Sequence, residues 1–241
     1  PGPGRLLTHE RNAGRASSRN DLVALVGTTY LLFVDADVTP GRPDFLSRYL
    51  AIAANGRVDA CYGGLSTKGP VPRDRALALD LVSRIDGRSA YERQKRGFLA
   101  IASNNLMIRG SLARRIPFGN DFEGWGWEDT DWAANAFAAG AHVHHIDNPA
   151  INTGLDTPET LLRKYKEAAW NLKRFLRNHP HLADELNGVK VARQLGRLPG
   201  QAMLRPVFAF AARDPLGLMP MTLRRMGLKL WRASWAAEAL S

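Results

Sequence analysis

The sequence predicts an α/β protein, in which helices flank a mixed sheet and a helical extension follows at the C-terminus. Short apolar runs alternate with segments of helical periodicity as far as Pro180. Beyond this proline the composition changes, because residues 187–241 carry nine Lys and Arg against two acidic residues, with apolar residues interleaved. We therefore expect a main α/β domain at 1–180 and a basic helical extension at 181–241.

In the first half of the chain, we assign strands to short apolar runs and helices to segments with a period of 3.6 residues. The continuously apolar run from Tyr30 to Val34 is typical of a strand that is buried on both faces. The same criteria predict helices over 12–27, 44–54 and the first part of 73–97, and strands over 58–63 and, with a bend, over 98–108.

In the second half, the helix ends carry their usual signals. Acidic residues occupy the first turn of a helix predicted over 128–139, where they favour the positive end of the helix dipole. A strand is predicted over 141–146. Thr157 and Pro158 are an N-cap and a first helical residue, and the helix that they begin should extend to Asn178.

Bulk composition limits the class of protein. The formal net charge of +10 implies an anionic partner, which leaves nucleic acid, an acidic membrane surface and a nucleotide-bearing substrate open. Cys61 is the only cysteine, so no intrachain disulfide can form. No apolar run approaches the roughly 18–20 residues that span a bilayer, and residues 1–5 lack the apolar core of a secretory signal. These features predict a cytoplasmic location.

The stretch from Phe122 to Asp131 combines carboxylates with aromatic side chains. Trp125 and Trp127, each preceded by a glycine, can stack on a sugar ring while neighbouring carboxylates accept hydrogen bonds from its hydroxyl groups. A carboxylate at a helix start can also act as a general base toward a nucleophilic hydroxyl. The alternative is an aromatic patch that fills core space beside a helix cap, which we expect for Trp132.

Residues 116–162 contain eight Asp and Glu and no Lys or Arg. An ion pair lowers the basicity of a carboxylate. The composition of this window therefore predicts that Asp129 has no ion-pair partner, which suits a general base.

Asp35 and Asp37 directly follow the apolar run that ends at Val34. Ligands of open α/β sheets bind at the carboxyl ends of strands, and hard cations prefer oxygen ligands. The two carboxylates predict a site that holds a divalent cation against phosphate oxygens, with a turn of solvated acids as the alternative. Residues 11–20 supply Arg and Asn donors for a nucleotide or diphosphate, or else form a solvated basic helix face.

The motifs FVDAD at 33–37 and GWGWEDTD at 124–131 together resemble inverting family-two glycosyltransferases of the GT-A fold, which is Rossmann-like. Within that family the resemblance is to bacterial enzymes of the chondroitin-polymerase and galactosyltransferase-like type. Residues 12–20 are similar to the nucleotide-side segment of these enzymes, and residues 103–108 to their acceptor-side strand. The resemblance covers about residues 11–176.

The resemblance implies transfer of a sugar, with inversion, from a UDP-sugar to a hydroxyl of a carbohydrate or glycolipid acceptor, in cell-surface polysaccharide or glycoconjugate synthesis. It implies Mn²⁺ or Mg²⁺ as the cofactor. Asp129 would be the general base and Glu128 would hold the acceptor. The implied donor and metal residues are Arg15, Arg19, Asp35 and Asp37, with Asn152 as a further metal ligand. The implied sugar-binding residues are Trp125, Gly126, Trp127, Asn104 and Asn105.

Two features depart from the family pattern. Relatives carry, before the segment that corresponds to residues 12–20, a strand and turn that cradle the nucleotide base, whereas only eleven residues precede Asn12 here. We therefore expect the N-terminal nucleotide-binding strand to be missing and the chain to be a fragment. Asn152 stands where many relatives have a metal-binding His, and an amide oxygen is a weaker ligand of a hard cation.

The C-terminal extension allows two interpretations. Arg224, Arg225, Lys229 and Arg232 are interleaved with Leu, Met and Trp. Such a helix either lies on an anionic membrane, here the inner face of the plasma membrane, or packs on the main domain.

Two other functions are alternatives to glycosyl transfer. Residues 32–39 loosely fit the nucleophile strand of haloacid-dehalogenase-like phosphohydrolases, in which Asp35 would be phosphorylated and Asp37 would be the acid/base. That class needs a later Lys with an acidic pair, and it leaves the two Gly-Trp pairs unexplained. A nucleic-acid binder would interleave basic and aromatic residues. Because the aromatic residues here cluster with acidic ones, we expect no nucleic-acid partner.

Overall fold

The computed structural model describes residues 4–241 and confirms the mixed α/β class. Residues 1–3, part of the segment inspected for a secretory signal, lie outside the described residues. The strands are β1 (Tyr30–Val34), β2 (Val38–Pro40), β3 (Ala60–Tyr62), β4 (Leu65–Ser66), β5 (Asn105–Arg109), β6 (Val143–His145) and β7 (Ala150–Asn152). The helices are α1 (Arg15–Leu25), α2 (Phe45–Asn55), α3 (Ala76–Arg84), α4 (Ala90–Gln94), α5 (Gly110–Arg115), α6 (Glu128–Ala138), α7 (Pro158–Asn178), α8 (Asn187–Gly196), α9 (Arg205–Arg213) and α10 (Met221–Leu240).

The strands form two mixed sheets. The larger has the order β1-β5-β3-β6, with β5 antiparallel to both of its neighbours and β3 parallel to β6. The smaller has the order β2-β7-β4, with β7 antiparallel to β2 and parallel to β4. Since β1 belongs to one sheet and β2 to the other, the turn from Asp35 to Asp37 connects the two sheets.

Three predicted elements differ from the structure. Among the described residues β1 is an edge strand, so Val34 is 41% exposed and the strand is not buried on both faces. The strand expected over 98–108 is a short 3₁₀ helix followed by a turn, and only its end is β5. The helix expected in the first part of 73–97 is α3, but the loop expected after it contains a second short helix, α4. Between the two helices the chain turns, and the Asp86 carbonyl accepts the Leu65 N–H at 3.2 Å.

The core beneath the larger sheet is organised around Trp132 of α6. Its indole is fully buried, stacks on Phe118 with ring centroids 5.4 Å apart, and donates its N–H to the Ile116 carbonyl at 2.9 Å. The polar edge of the ring therefore has a partner and the apolar faces are packed, as a buried tryptophan requires. This confirms the structural role expected for Trp132.

The C-terminal helices pack on the rest of the chain. In α10, the Trp231 indole donates to the Leu162 carbonyl of α7 at 2.9 Å, and Arg225 pairs with Asp80 of α3 at 2.7 Å. Arg224 is buried and donates to the Ala212 carbonyl of α9. Of the two interpretations of this helix, the contacts of Arg224 and Arg225 support packing on the main domain. No helix within residues 4–241 is both long and apolar enough to cross a membrane.

Candidate active site

The acidic segment forms a tight loop that leads into α6. Gly124, Gly126 and Trp127 all have left-handed backbone angles, with φ of 71°, 96° and 77°. A side chain at Gly126 would lie 3.2 Å from the Ala168 methyl group, so the loop lies directly on α7. The Asn171 amide fixes it there by donating to the carbonyls of the residues on either side of Gly124, at 2.8 and 3.3 Å. The loop therefore sets the direction in which the side chains of Glu128 and Asp129 point from the start of α6.

Arg19 of α1 connects the two acidic motifs. Its Nη1 donates to Asp129 Oδ1 at 3.0 Å and lies 3.4 Å from Glu128 Oε1. Its Nη2 lies 3.8 Å from Asp35 Oδ1. Arg15, one helical turn earlier, pairs with Glu128 at 2.8 Å. The structure therefore gathers five of the predicted site residues into one charged cluster, although they are spread over more than 110 positions of the sequence.

This cluster corrects one expectation. Asp129 does have an ion-pair partner, since Arg19 reaches it from a distant part of the chain. The window without Lys and Arg described only the sequence neighbours of Asp129, and side chains from α1 fill the space opposite. The sequence also predicts that Arg15 and Arg19 donate to a nucleotide or diphosphate. In the described structure both arginines instead pair with carboxylates of the protein.

Ser103 is a site residue that the sequence analysis did not select. Its backbone N–H donates to Asp129 Oδ2 at 3.1 Å, and its hydroxyl donates to Oδ1 at 2.9 Å. The Asp129 carboxylate is therefore held at both oxygens. The sequence feature that could have identified Ser103 is the polar run from Ser103 to Asn105, which interrupts an apolar segment.

Two carboxyl groups of the cluster have a raised pKa. Burial raises the pKa of Glu128, the neighbouring Asp129 carboxylate adds to the increase, and Arg15 opposes it. Burial also raises the pKa of Asp35, which Arg19 opposes. Since Glu128 is only 3% exposed, its charge depends on its two arginine partners.

The turn after β1 lies against the end of β7. Asp37 is exposed, and its carbonyl accepts both the N–H and the hydroxyl of Thr153, at 2.9 and 2.8 Å. Register pairs Val38 with Asn152, whose side-chain oxygen accepts the Gly154 N–H at 2.8 Å. A Cβ atom at Gly154 would come within 2.6 Å of Asp37 Oδ2. The absence of a side chain at Gly154 therefore keeps the space at this carboxylate open.

The side-chain oxygens of Asp35, Asp37 and Asn152 suit a hard cation that keeps water or phosphate oxygens as its remaining ligands. Asp37 and Asp35 offer carboxylate oxygens and Asn152 an amide oxygen, all of types that Mg²⁺ and Mn²⁺ accept. Within residues 4–241, no three or more His, Cys, Asp or Glu side chains come together as a metal site. A cation here would complete its coordination with water or substrate phosphates, as Mg²⁺ commonly does.

Aromatic side chains form a wall beside α6. Trp125 meets Tyr165 edge-on with ring centroids 5.5 Å apart, and Trp127 lies over Phe175 at 4.9 Å. The Arg232 guanidinium of α10 lies 5.4 Å from the centre of the Tyr165 ring and 5.7 Å from that of Trp127. Tyr165 and Arg232 carry no local sequence signal, because only the packing of α7 and α10 brings them here.

The two asparagines expected to bind the acceptor differ in their surroundings. Asn104 is half-buried, and its side-chain oxygen is buried without a hydrogen-bond partner among the described residues. Asn105 is fully buried, where its amide donates to the carbonyls of Gly64 and Asn148 and accepts the Tyr49 hydroxyl. These bonds use the side chain of Asn105 inside the core, so we assign it a structural role in place of the expected contact with a sugar.

Comparisons with known proteins give partial likenesses. No protein-family model matches the sequence, and no curated protein matches it. The mannosyltransferase PcManGT from Pyrobaculum calidifontis, in complex with GDP-Man and Mn²⁺, is 18% identical with a TM-score of 0.49; the match covers 93% of this chain and 66% of that one. S. aureus TarS 1–349 in complex with UDP is 14% identical with a TM-score of 0.45, covering 95% of this chain and 70% of that one. This chain thus spans just under two thirds of the mannosyltransferase.

Proposed function

We propose that this protein is an inverting glycosyltransferase that moves a sugar from a nucleotide-sugar, preferentially a UDP-sugar, to an acceptor hydroxyl. The observation that carries the proposal is the position of Arg19, which contacts Asp129 at 3.0 Å and lies 3.8 Å from Asp35. One side chain thereby links the carboxylate suited to a general base with Asp35, one of the two carboxylates suited to a cation that would bind the donor diphosphate.

Asp129 is the proposed general base. Its Oδ1 accepts both Arg19 and the Ser103 hydroxyl, whereas Oδ2 accepts only the Ser103 N–H within the described residues. Oδ2 therefore has a lone pair available for the proton of an acceptor hydroxyl. Removing this proton increases the nucleophilicity of the hydroxyl oxygen as it attacks the anomeric carbon. Attack in line with the leaving diphosphate inverts that centre.

The other residues have positioning roles in this proposal. Trp125, Gly126 and Trp127 offer the surface on which a sugar ring lies. Asn104, next to Ser103 in the chain, supplies a side-chain oxygen that has no hydrogen-bond partner within residues 4–241. Glu128 is buried and pairs with Arg15 and Arg19, so its proposed role is to hold these two arginines in place, in addition to holding the acceptor.

Asp37, Asp35 and Asn152 would hold the divalent cation. When bound, Mn²⁺ or Mg²⁺ supplies Lewis-acid stabilisation of the negative charge on the departing diphosphate. The open space at Gly154 supports this assignment, since a methyl group there would contact the Asp37 carboxylate.

Gly154→Ala is expected to weaken cation binding. The added Cβ would lie 2.6 Å from Asp37 Oδ2 and displace the carboxylate. We expect the Mn²⁺ concentration for half-maximal activity to rise about tenfold, equivalent to about 1.4 kcal/mol, and calorimetric titration of Mn²⁺ with UDP to show the same change. Gly188→Ala is the control, because a Cβ there meets nothing within 4 Å. Equal Mn²⁺ affinity in both variants would exclude Asp37 as a ligand.

The proposed function is tested by incubating the protein with Mn²⁺ and a panel of UDP-sugars, and measuring nucleotide release with and without carbohydrate acceptors. Turnover that increases with an acceptor is the expected result. Phosphatase activity on small phosphoesters, without release from any nucleotide-sugar, would instead indicate the haloacid-dehalogenase-like alternative. That alternative needs a Lys beside Asp35, whereas the cations that influence the pKa of Asp35 are Arg19 and Arg15.

We also propose that the protein acts in cell-surface polysaccharide or glycoconjugate synthesis, at the inner face of the plasma membrane. The supporting features are the exposed apolar side chains around the turn between α9 and α10, and the exposed Lys229 further along α10. We call the large exposed apolar side chains of α9, of α10 and of the turn between them the hairpin surface; they are Val207, Phe210, Leu216, Leu218, Leu223 and Met226. Exposed apolar residues with basic neighbours are typical of proteins that bind anionic bilayers from one side.

Leu216→Ser with Leu218→Ser is expected to reduce membrane binding. These residues are 71% and 81% exposed at the tip of the hairpin surface, so inserting them would bury apolar area. We expect the partition coefficient onto phosphatidylglycerol vesicles, measured by co-sedimentation, to fall about tenfold or more. The control is Leu46→Ser with Leu50→Ser, which alters two similarly exposed leucines on α2. Equal losses in both double variants would exclude the hairpin surface as the membrane contact.

A further inference from the structure

A cleft of about 410 Å³ lies between α7 and the loop that carries the acidic segment. Glu123 and Gly124 line one side of the cleft, and the face of α7 that carries Trp170 lines the other. The Asn171 amide bonds the Glu123 and Trp125 carbonyls, so the cleft borders the loop that presents Trp125. None of the cleft side chains belongs to the proposed donor, metal or general-base groups.

The α7 wall combines an aromatic surface with cations. Trp170, Lys173, Arg174 and Arg177 lie within one arc of about 100° on the helix, since each residue advances about 100° around the axis. Trp170 is 48% exposed and so presents an open ring surface to the cleft. An exposed tryptophan with adjacent cations provides both a stacking surface and anion-binding groups.

The charges in the cleft are not balanced. Glu167 pairs with Arg163 at 2.8 Å, and Glu123 pairs with Arg174 at 3.3 Å. Both carboxylates of the lining therefore have a cation of their own. Lys173 and Arg177 are exposed and make no ion pair within residues 4–241. The cleft consequently offers two uncommitted positive charges beside one exposed indole.

We infer that this cleft binds an acidic saccharide, as a subsite for the acceptor chain beyond the sugar that reacts. A sugar ring would lie against Trp170, and its carboxylate would be bound by Lys173 and Arg177. The inference rests on the proposed function for its identification of the ligand as an acceptor. It selects a uronate-bearing chain over a neutral one because the unpaired charges in the cleft are positive.

The test is calorimetric titration of the protein with hexagalacturonate and, separately, with its methyl ester, which removes only the charge. We expect hexagalacturonate to bind at least tenfold more tightly than the ester. Lys173→Ala with Arg177→Ala should weaken hexagalacturonate binding about tenfold, and Trp170→Ala should weaken binding of both ligands. The control is Arg57→Ala with Lys68→Ala, which removes two exposed cations that lie outside the cleft and should leave the affinity unchanged.

Three outcomes would overturn the inference: equal affinity for the acid and its ester, an equal loss in the control variant, or tighter binding of a thymidine hexanucleotide than of hexagalacturonate. The last would identify the cleft as a nucleic-acid contact. Because the titration needs no donor, its result is separate from that of the nucleotide-sugar assay. Binding that depends on Lys173 and Arg177 in a protein that releases no nucleotide would retain the cleft and reject the glycosyltransferase.

Discussion

Asp129→Asn is expected to abolish sugar transfer while leaving Mn²⁺-dependent UDP binding largely intact. The amide is nearly isosteric, and its oxygen can still accept the Ser103 hydroxyl at the position of Oδ1. It loses the acceptor of the Ser103 N–H at the position of Oδ2, and it loses the ability to take a proton from the acceptor hydroxyl. General-base catalysis contributes typically about 10²–10⁴-fold, so we expect kcat to fall within this range. The measurement is nucleotide release at saturating donor and acceptor, with UDP affinity determined by titration calorimetry.

The control for this variant is Asp121→Asn, which makes the same chemical change at an exposed carboxylate of the neighbouring loop. It should retain full transfer. Loss of UDP binding by Asp129→Asn would move Asp129 from the acceptor side to the donor side. Undiminished transfer would show that another group takes the proton.

Local sequence signals were sufficient for the elements that carry the site. The apolar run of β1 has its predicted bounds of Tyr30–Val34, and α7 begins at Pro158 with the Thr157 hydroxyl accepting the Thr160 N–H as an N-cap. The start of α6 at Glu128 also agrees with its acidic first turn. Each of these features depends on residues close together in the chain, where spacing and capping determine the backbone.

The partners inside the site could not be predicted in this way. Arg19 and Asp129 are 110 residues apart, and their contact depends on how α1 packs against the start of α6. The same holds for Arg232, which reaches the aromatic wall from α10. A window of composition around Asp129 therefore correctly described its sequence neighbours but not its electrostatic environment. Ion pairing between distant segments is a property of packing, which periodicity does not encode.

Arg19→Gln is expected to destabilise the fold, and more so at higher pH. The Arg19 and Glu128 side chains are only 8% and 4% exposed. Removing the cation leaves a buried carboxylate with Arg15 as its remaining partner, and breaking a buried pair typically costs about 3–5 kcal/mol. Because Arg15 stays, we expect a loss of about 3 kcal/mol in the free energy of unfolding at pH 7.5, measured by urea denaturation.

The pH dependence follows from the direction of the pKa shift of Glu128. Burial already raises its pKa above the ordinary 4.5, and loss of Arg19, which opposes the shift, should raise it further. A group whose pKa is higher in the folded state stabilises the fold below its unfolded pKa and loses that contribution as the pH rises through its folded pKa. The deficit of Arg19→Gln should therefore be smaller at pH 5 than at pH 7.5.

A second substitution separates the buried charge from other effects of losing Arg19. Adding Glu128→Gln to Arg19→Gln removes the unpaired carboxylate, so the double variant should recover most of the lost free energy and lose the added pH dependence. Arg48→Gln is the control for removal of an arginine from an exposed ion pair, and should cost at most about 1 kcal/mol. If the double variant were no more stable than Arg19→Gln alone, the loss would come from the packing of Arg19 on Phe118, where its guanidinium lies 5.4 Å from the ring centre. Arg19 would then support the site through its shape, and the charge of Glu128 would have no part in holding α1 to α6.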